Sequence, residues 1–522
     1  MDQLYKRIAN LSPKQREVLI AHFGDSLSET DAPLISRVDE RRLAPLSFAQ
    51  QRLWFLDQLE PGNPAYNLPV AVRLSGALEV GALARTFNEI RRRHEVLRTA
   101  FITREGSAVQ EVAAHWEEAL PLIDLTELTP GAREQEARRL AQSAAQERFD
   151  LRQAPLMRVR LLRLSAREHL LLLVMHHIVS DGWSMGILVR EVSELYGAYR
   201  SGGRAELAEL PIQYGDYAVW QRAYLGGAVL EKQLGYWREQ LQGVGVLELP
   251  TDHVRPAVQS YRGGHEAVWV GEAVSAGLRE LSRGEGVTLY MTLLAAFKVL
   301  LHLYSGAREI VVGSPVAGRN RTEVEGLIGF FINTLVLRSE VGGGESFREL
   351  LRREREVVLE AYAHQEVPFE KLVEELQPER SLSHSPLFQV WFVLQNLQTP
   401  ATPARELPDL TMSTMRLVSE VARHDLRLDI NETPQGLGGS FQYSTDLFEP
   451  ATVARMARKF EALTQAIAEN PDARLNELKE VLAEKEKHER MTKAKEFEAA
   501  DRQSLKRLKR SHKDIQKAQS SS

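Results

Sequence analysis

From residue 44 to about 470 the sequence alternates short apolar runs of strand length with longer stretches in which apolar residues recur every three or four positions, and no fixed period relates one unit to the next. This pattern constrains the chain to an α/β architecture, because a sheet that is apolar on both faces has to be covered by helices that each carry one apolar stripe. Strands are predicted at 70–74 and 97–102, flanking a helix over 80–94, and a strand pair at 157–162 and 169–175. Met185, Leu188, Val189, Val192, Leu195 and Tyr196 have the spacing of one buried face of a predicted helix over 184–199. After a largely helical stretch over 224–241 the same grammar starts again, with strands at 267–270 and 310–313 and helices over 289–304 and 347–363. A chain of 522 residues is longer than one hydrophobic core usually serves, so two lobes are expected.

The expected division is a lead-in over 1–43, a first lobe over 44–225, a second lobe over 226–476 and a charged helical linker or tail over 477–522. The lead-in includes an amphipathic stretch over 11–20, and the tail carries Lys506, Arg507, Lys509 and Arg510 without an aromatic platform, so it reads as a solvated linker rather than a nucleic-acid arm. Basic and acidic residues number 66 and 71, which leaves no overall basic field to draw nucleic acid. The chain has no cysteine, which removes disulfides, cysteine-based zinc sites and a thiol nucleophile together, and fits a reducing cytoplasm. Apolar runs such as 170–175 are strand-sized, and no secretory block opens the sequence, so no membrane partner is expected.

The segment 176–182, His-His-Ile-Val-Ser-Asp-Gly, lies between a predicted apolar strand and a predicted amphipathic helix. A strand-to-helix turn puts side chains at the open end of a sheet, where an imidazole can act as a general base. A histidine at a strand end is also commonly a satisfied structural residue, and the two readings stand level on this segment alone. His424-Asp425 has the look of an acid–base pair, but the alternation of Leu426, Leu428 and Ile430 argues for an ordinary strand. Gly263-Gly264-His265-Glu266 is similar to a carrier-domain attachment signature with Glu266 in the serine position, so it is read as a loop entering a strand. The sequence shows neither a phosphate-cradling glycine loop nor histidines at metal-ligand spacing, which counts against nucleotide hydrolysis and metal catalysis.

His176-His177-x-x-x-Asp181-Gly182-Trp183-Ser184 resembles the active-site motif of the condensation domains of nonribosomal peptide synthetases. Further segments resemble that family's other motifs in the same order: Ser47 to Leu56, Arg93 to Phe101, Tyr214 to Trp220, Ile328 to Thr334, His364 to Glu370 and, more weakly, Pro378 to Leu387. The resemblance implies two chloramphenicol-acetyltransferase-like lobes set in a V as a pseudo-dimer, with a central tunnel entered from opposite faces. It implies an acyltransferase that joins a donor acyl or peptidyl thioester to an acceptor aminoacyl thioester, and no bound cofactor. The thioesters ride on the phosphopantetheine arms of donor and acceptor peptidyl carrier proteins, beside adjoining synthetase domains.

Carried over by position, His177 is the catalytic histidine and the N–H of Gly182 a candidate donor to the oxyanion, whereas His176 is structural. Asp181 reads as a catalytic acid or an anchor; the resemblance favours the anchor, with Arg319 of the 313–319 segment as its ion-pair partner. Trp183 and Ser184 are candidates to line the tunnel or to start the helix, and for Ser184 the capping role is preferred. The segment 53–67 resembles the subtype that extends a chain ending in an L-amino acid. Four further readings are carried beside it: a starter domain using a fatty acyl-coenzyme A, an epimerase-like member of the same fold, a lipid or alcohol acyltransferase sharing only the short histidine motif, and an inactive recruitment platform. The intact histidine pair speaks against the last.

Overall fold

A computed structural model of the chain describes residues 33–38, 42–114, 117–204, 207–378, 381–395, 409–415, 417, 421–485 and 487. The amphipathic stretch at 11–20, residues 379 and 380 and most of the charged tail lie outside the described residues. In chain order the strands are β1 (Leu43–Pro45), β2 (Asn67–Gly76), β3 (Thr99–Arg104), β4 (Ser107–Val112), β5 (Leu122–Asp124), β6 (Met157–Ser165) and β7 (Glu168–His176). Then follow β8 (Gly263–Gly271), β9 (Glu309–Val316), β10 (Asn333–Glu340), β11 (Val390–Gln395), β12 (Leu410–Thr414), β13 (Leu426–Thr433) and β14 (Gly436–Ser444).

These strands form one five-stranded sheet, β12-β2-β7-β6-β5, one six-stranded sheet, β10-β9-β11-β13-β14-β8, and a small sheet, β1-β4-β3. β7 is central in the first sheet and is buried from His169 to His176, which is why its sequence is a run of leucines rather than an alternation. Its neighbour β6 alternates more, with Met157, Val159 and Leu161 inward. In the second lobe the helix Leu289–Ser305 is buried continuously from Met291 to Leu301, so it forms the spine of that core rather than a surface helix. Side chains of this size stabilise by about 1.5–3 kcal/mol each when fully buried, so both lobes have ample core.

The two cores are not strictly successive along the chain. Leu234 and Trp237 of the helix Gly227–Gln240 already belong to the second core. In return, Val324, Leu327, Ile328 and Phe331 pack into the first core, and β12 pairs antiparallel with β2. The first lobe is thus completed by two segments from the second half of the chain.

Three sequence expectations need correction, the first being Val189, which is exposed rather than on the buried face of its helix. The predicted helical stretch over 224–241 is the end of one helix, Tyr214–Tyr224, and then a second one, Gly227–Gln240; Gly226 and Gly227 break the run, the latter at φ 56°. Gly263 and Gly264 do not form a loop but open β8 in register with Ser444 and Tyr443. A Cβ on Gly264 would lie 2.5 Å from the Tyr443 ring, so the glycine is there for close packing between strands. Among the described residues no single helix is long and apolar enough to cross a membrane.

Candidate active site

β7 delivers the two histidines to the end of the first sheet. His176 is its last residue and pairs with Asn67 of β2, after which a short 3₁₀ turn, His177–Val179, leads into the helix Gly182–Arg200. Asp181 is the N-cap of that helix, and its Oδ1 accepts the Ser184 amide at 2.8 Å. The capping role expected of Ser184 therefore belongs to Asp181, three residues earlier.

The adjacent histidines have different surroundings. His176 is 4% exposed, packs between Tyr66 and Phe149 at ring separations of 6.4 and 6.0 Å, and accepts the Ile178 amide on Nδ1 at 3.2 Å. Burial, with smaller contributions from His177 and Arg423, pushes it down to about 3. His177 is half-buried, with its ring edge-on to Phe330 at 4.7 Å. Its Nδ1 lies 2.8 Å from the Ser180 carbonyl oxygen. A carbonyl can only accept, so Nδ1 carries the proton and Nε2 keeps its lone pair. Burial first, and the nearby Arg423 charge second, push His177 down to about 4, which leaves the ring neutral near pH 7.

Asp181 and Arg319 meet across the lobes at 3.3 Å, both fully buried at the side chain. The other Asp181 oxygen accepts the Phe331 amide at 3.0 Å, and Arg319 donates to the Val324 and Leu327 carbonyls at 2.6 and 2.7 Å. Gly318, at φ +62°, makes this turn possible, since a Cβ there would sit 2.0 Å from the Phe331 carbonyl oxygen. The carboxylate thus spends its acceptors on fixed donors and has no geometry for delivering a proton. Ser184 is buried rather than facing a passage: its hydroxyl lies 2.7 Å from Asp181 Oδ1 and accepts from Arg319 and from the Gly329 amide. Trp183 is 36% exposed and donates its indole N–H to the Glu325 carbonyl at 3.1 Å, so it too bridges the lobes. Gly182 is exposed as the first residue of the helix, and an amide at that position has no acceptor within its own helix.

The separated sequence segments converge on this turn. Gln50 donates to the Ile178 carbonyl at 3.3 Å, and the Tyr214 hydroxyl lies 2.9 Å from Ser47 Oγ while donating to the Phe330 carbonyl at 2.5 Å. His94 accepts the Ile328 amide and meets Glu191 at 2.8 Å, and Glu191 also takes Arg93. Asn333 bridges the Gln365 and Val367 carbonyls and accepts the Phe369 amide. Most of these residues therefore hold backbone in place around His177 rather than offering reactive atoms.

Sequence reasoning missed Arg423. It lies just before β13, next to the His424-Asp425 pair, and its guanidinium sits over the Tyr66 ring at 5.2 Å. His424 stacks flat on Trp391 at 4.9 Å, and Asp425 is held two-pronged by Arg255, so those two are committed to the second lobe.

The family described as Condensation domain matches residues 40–490 of the chain. A linear gramicidin synthase of Brevibacillus parabrevis is 49% identical over 442 residues, which is 84% of this chain and 9% of that protein. The chain therefore spans less than a tenth of that relative's length. The X-domain from teicoplanin biosynthesis, solved alone and in complex with OxyB, matches at TM-scores of 0.78 and 0.77 with 30% identity, covering 85% of this chain and 99% and 98% of those. A third structure, holo-AB3403, a four-domain nonribosomal peptide synthetase bound to AMP and glycine, matches at a TM-score of 0.75 with 25% identity, covering 83% of this chain and 34% of that one.

Proposed function

The chain belongs to the condensation-domain family, and from that premise we propose that it forms an amide bond between a donor acyl or peptidyl thioester and an acceptor aminoacyl thioester. Its fold is the two-lobed, chloramphenicol-acetyltransferase-like one of condensation-domain structures, and its class is that of the amide-forming acyltransferases. The lobes, proposed as 44–225 and 226–476 apart from the two returning segments at 324–331 and 410–414, form a V whose tunnel admits the phosphopantetheine arms of two carrier proteins as substrates. The cytoplasm is the proposed setting, in line with the absence of cysteine.

One observation supports this reading most directly: His177 is a neutral imidazole held by Nδ1, with Nε2 free, at the turn where both lobes meet. The acceptor amine attacks the donor carbonyl carbon with its lone pair and a C–N bond forms. His177 Nε2 orients the amine and takes its proton, the tetrahedral intermediate collapses, the C–S bond breaks, and the proton passes to the leaving thiolate. The Gly182 amide at the helix N-terminus is a donor for the oxyanion. Asp181, Arg319, Ser184 and Trp183 act by holding the turn, and His176 by packing it.

The donor is proposed to be an L-configured aminoacyl or peptidyl group, on the resemblance of segment 53–67. A second reading has a specific observation behind it: an X-domain at 30% identity was solved in complex with OxyB, which fits a recruitment platform. The intact His177 geometry supports catalysis instead. The test offers one aminoacyl-loaded acceptor carrier with either an L-aminoacyl carrier or a long-chain acyl-coenzyme A, and follows the condensed thioester by intact-protein mass spectrometry. Product from the carrier donor is expected. Product from the coenzyme A thioester alone would identify a starter domain, and no product from either would favour the platform.

A further inference from the structure

Arg423 is an anomaly in charge pairing. It is half-buried, no carboxylate lies within ion-pair distance of it among the described residues, and its one close partner is the face of Tyr66. Asp429, the carboxylate acting on it from further off, is gripped by Arg427 at 2.6 and 2.7 Å, and the charges of Arg427 and Arg52 both oppose it. A half-buried guanidinium that no carboxylate of the described residues engages, and whose nitrogens are not sealed from solvent, is open to a charge that arrives. The segment bearing it is clamped: Val421 bridges to Arg262, the Ala422 amide donates to the Tyr261 carbonyl at 2.8 Å, and Gln259 donates to the Ala422 carbonyl. The guanidinium lies over Tyr66, whose ring is 6.4 Å from that of His176, so its charge is felt at both His176 and His177.

We infer that Arg423 is a catalytic residue of the condensation, the cation from the second lobe that receives the donor carbonyl oxygen as it becomes an oxyanion. This rests on the amide-forming reading above. As the amine lone pair forms the C–N bond, the carbonyl π pair moves onto oxygen and meets the guanidinium. When that pair returns, the C–S bond breaks and the thiolate takes the proton carried by His177. Arg423 stays protonated throughout and needs no co-reactant. The same charge has a second effect on chemistry: an ammonium beside a guanidinium is disfavoured, so the acceptor is presented as the free amine that attack requires.

The test compares Arg423→Gln and Arg423→Lys in the full chain, with loaded carriers as substrates. The Gln variant is expected to lose about 10²- to 10³-fold in kcat with little change in KM for either carrier, and the Lys variant to keep most of the rate. The charged and titratable groups acting on His177 are His176 at the end of the preceding strand, Asp181 in the turn with Arg319 behind it, and Arg423 from the second lobe. Removing the last raises His177, so the acid limb of the kcat profile moves to higher pH in the Gln variant and stays in place in the Lys variant. The thermal midpoint of the Gln variant is expected to be unchanged or higher, because no counter-charge is stranded. An unchanged kcat and acid limb, or a lowered thermal midpoint, would overturn the inference. His177→Ala run alongside separates the cases: full activity there defeats the proposed function, whereas loss there with none in Arg423→Gln defeats only the role of Arg423.

Discussion

Asp181 and Arg319 meet across the lobes with side chains 0% and 1% exposed, and Lys298 and Glu354 meet inside the second lobe with both at 0%. Each pair is completed by a serine: Ser184 lies between Asp181 and Arg319, and Ser339 is 2.8 Å from Lys298 and 2.7 Å from Glu354. The difference lies in what else they hold. Lys298 and Glu354 join two helices of one core, whereas Asp181 also caps the helix after the histidines and fixes the Phe331 amide. Similar buried chemistry thus serves packing in one place and the geometry of a reactive turn in the other.

That contrast can be broken or sharpened by substitution. The largest expected effect is that of His177→Ala, which removes the positioned imidazole and should cost about 10²- to 10⁴-fold in condensation rate with the thermal midpoint nearly unchanged. Steady-state product formation together with calorimetry checks it. Next comes Lys298→Ala, expected to destabilise by about 3–5 kcal/mol because it strands the Glu354 carboxylate in the core. The double substitution Lys298→Met with Glu354→Leu should recover that stability in urea unfolding and leave kcat intact, marking the pair as dispensable for chemistry. Asp181→Asn should cost about 1–3 kcal/mol of stability and lower kcat about tenfold or more, because the turn loosens while His177 itself survives. A hydrophobic exchange of Asp181 and Arg319 should fail to restore the rate, unlike the exchange in the second core.

The smallest effect is in acid. Burial lowers His176 to about 3, against 6.5 for the unfolded chain. Between those values the unfolded state binds the proton and the folded state does not, so stability is full above about pH 6.5 and falls as pH drops. Glu366 and Glu370, raised by burial, act in the opposite sense. The histidine contribution is therefore read as a difference: His176→Gln should flatten the dependence of stability on pH between about pH 6 and 4 by up to about 1.4 kcal/mol per pH unit. Equal slopes in urea titrations of the two proteins would contradict it.

Much of the frame was legible because it is local. The unbroken apolar run ending in His176 has the length of a strand buried on both faces, and the apolar stripe after Gly182 has the spacing of one helix face. The break at Gly226-Gly227 was readable too, but the apolar spacing on either side hid it. The site was legible in identity and not in arrangement. Ser184 looked like a cap because serine favours that position, yet Asp181 takes it, since a carboxylate there also answers Arg319 and Phe331 from 138 and 150 residues away. Arg423 gave no local signal at all. What sets it apart is that no counter-charge meets it among the described residues, and a sequence does not show which carboxylates are already taken.

The pairing of β12 with β2 bears on how this protein can be cut and recombined. Leu410 to Thr414 lie opposite Gly76 to Val72, so the border of the first sheet is supplied from near the end of the chain. A fragment ending at residue 225 would expose the hydrogen-bonding edge of β2, and unpaired edges recruit strands from other molecules. Such a half is expected to self-associate or precipitate even with its own core intact. Exchange boundaries for a chimaera are better drawn outside both lobes than between them, because the seam between the halves is woven rather than stacked.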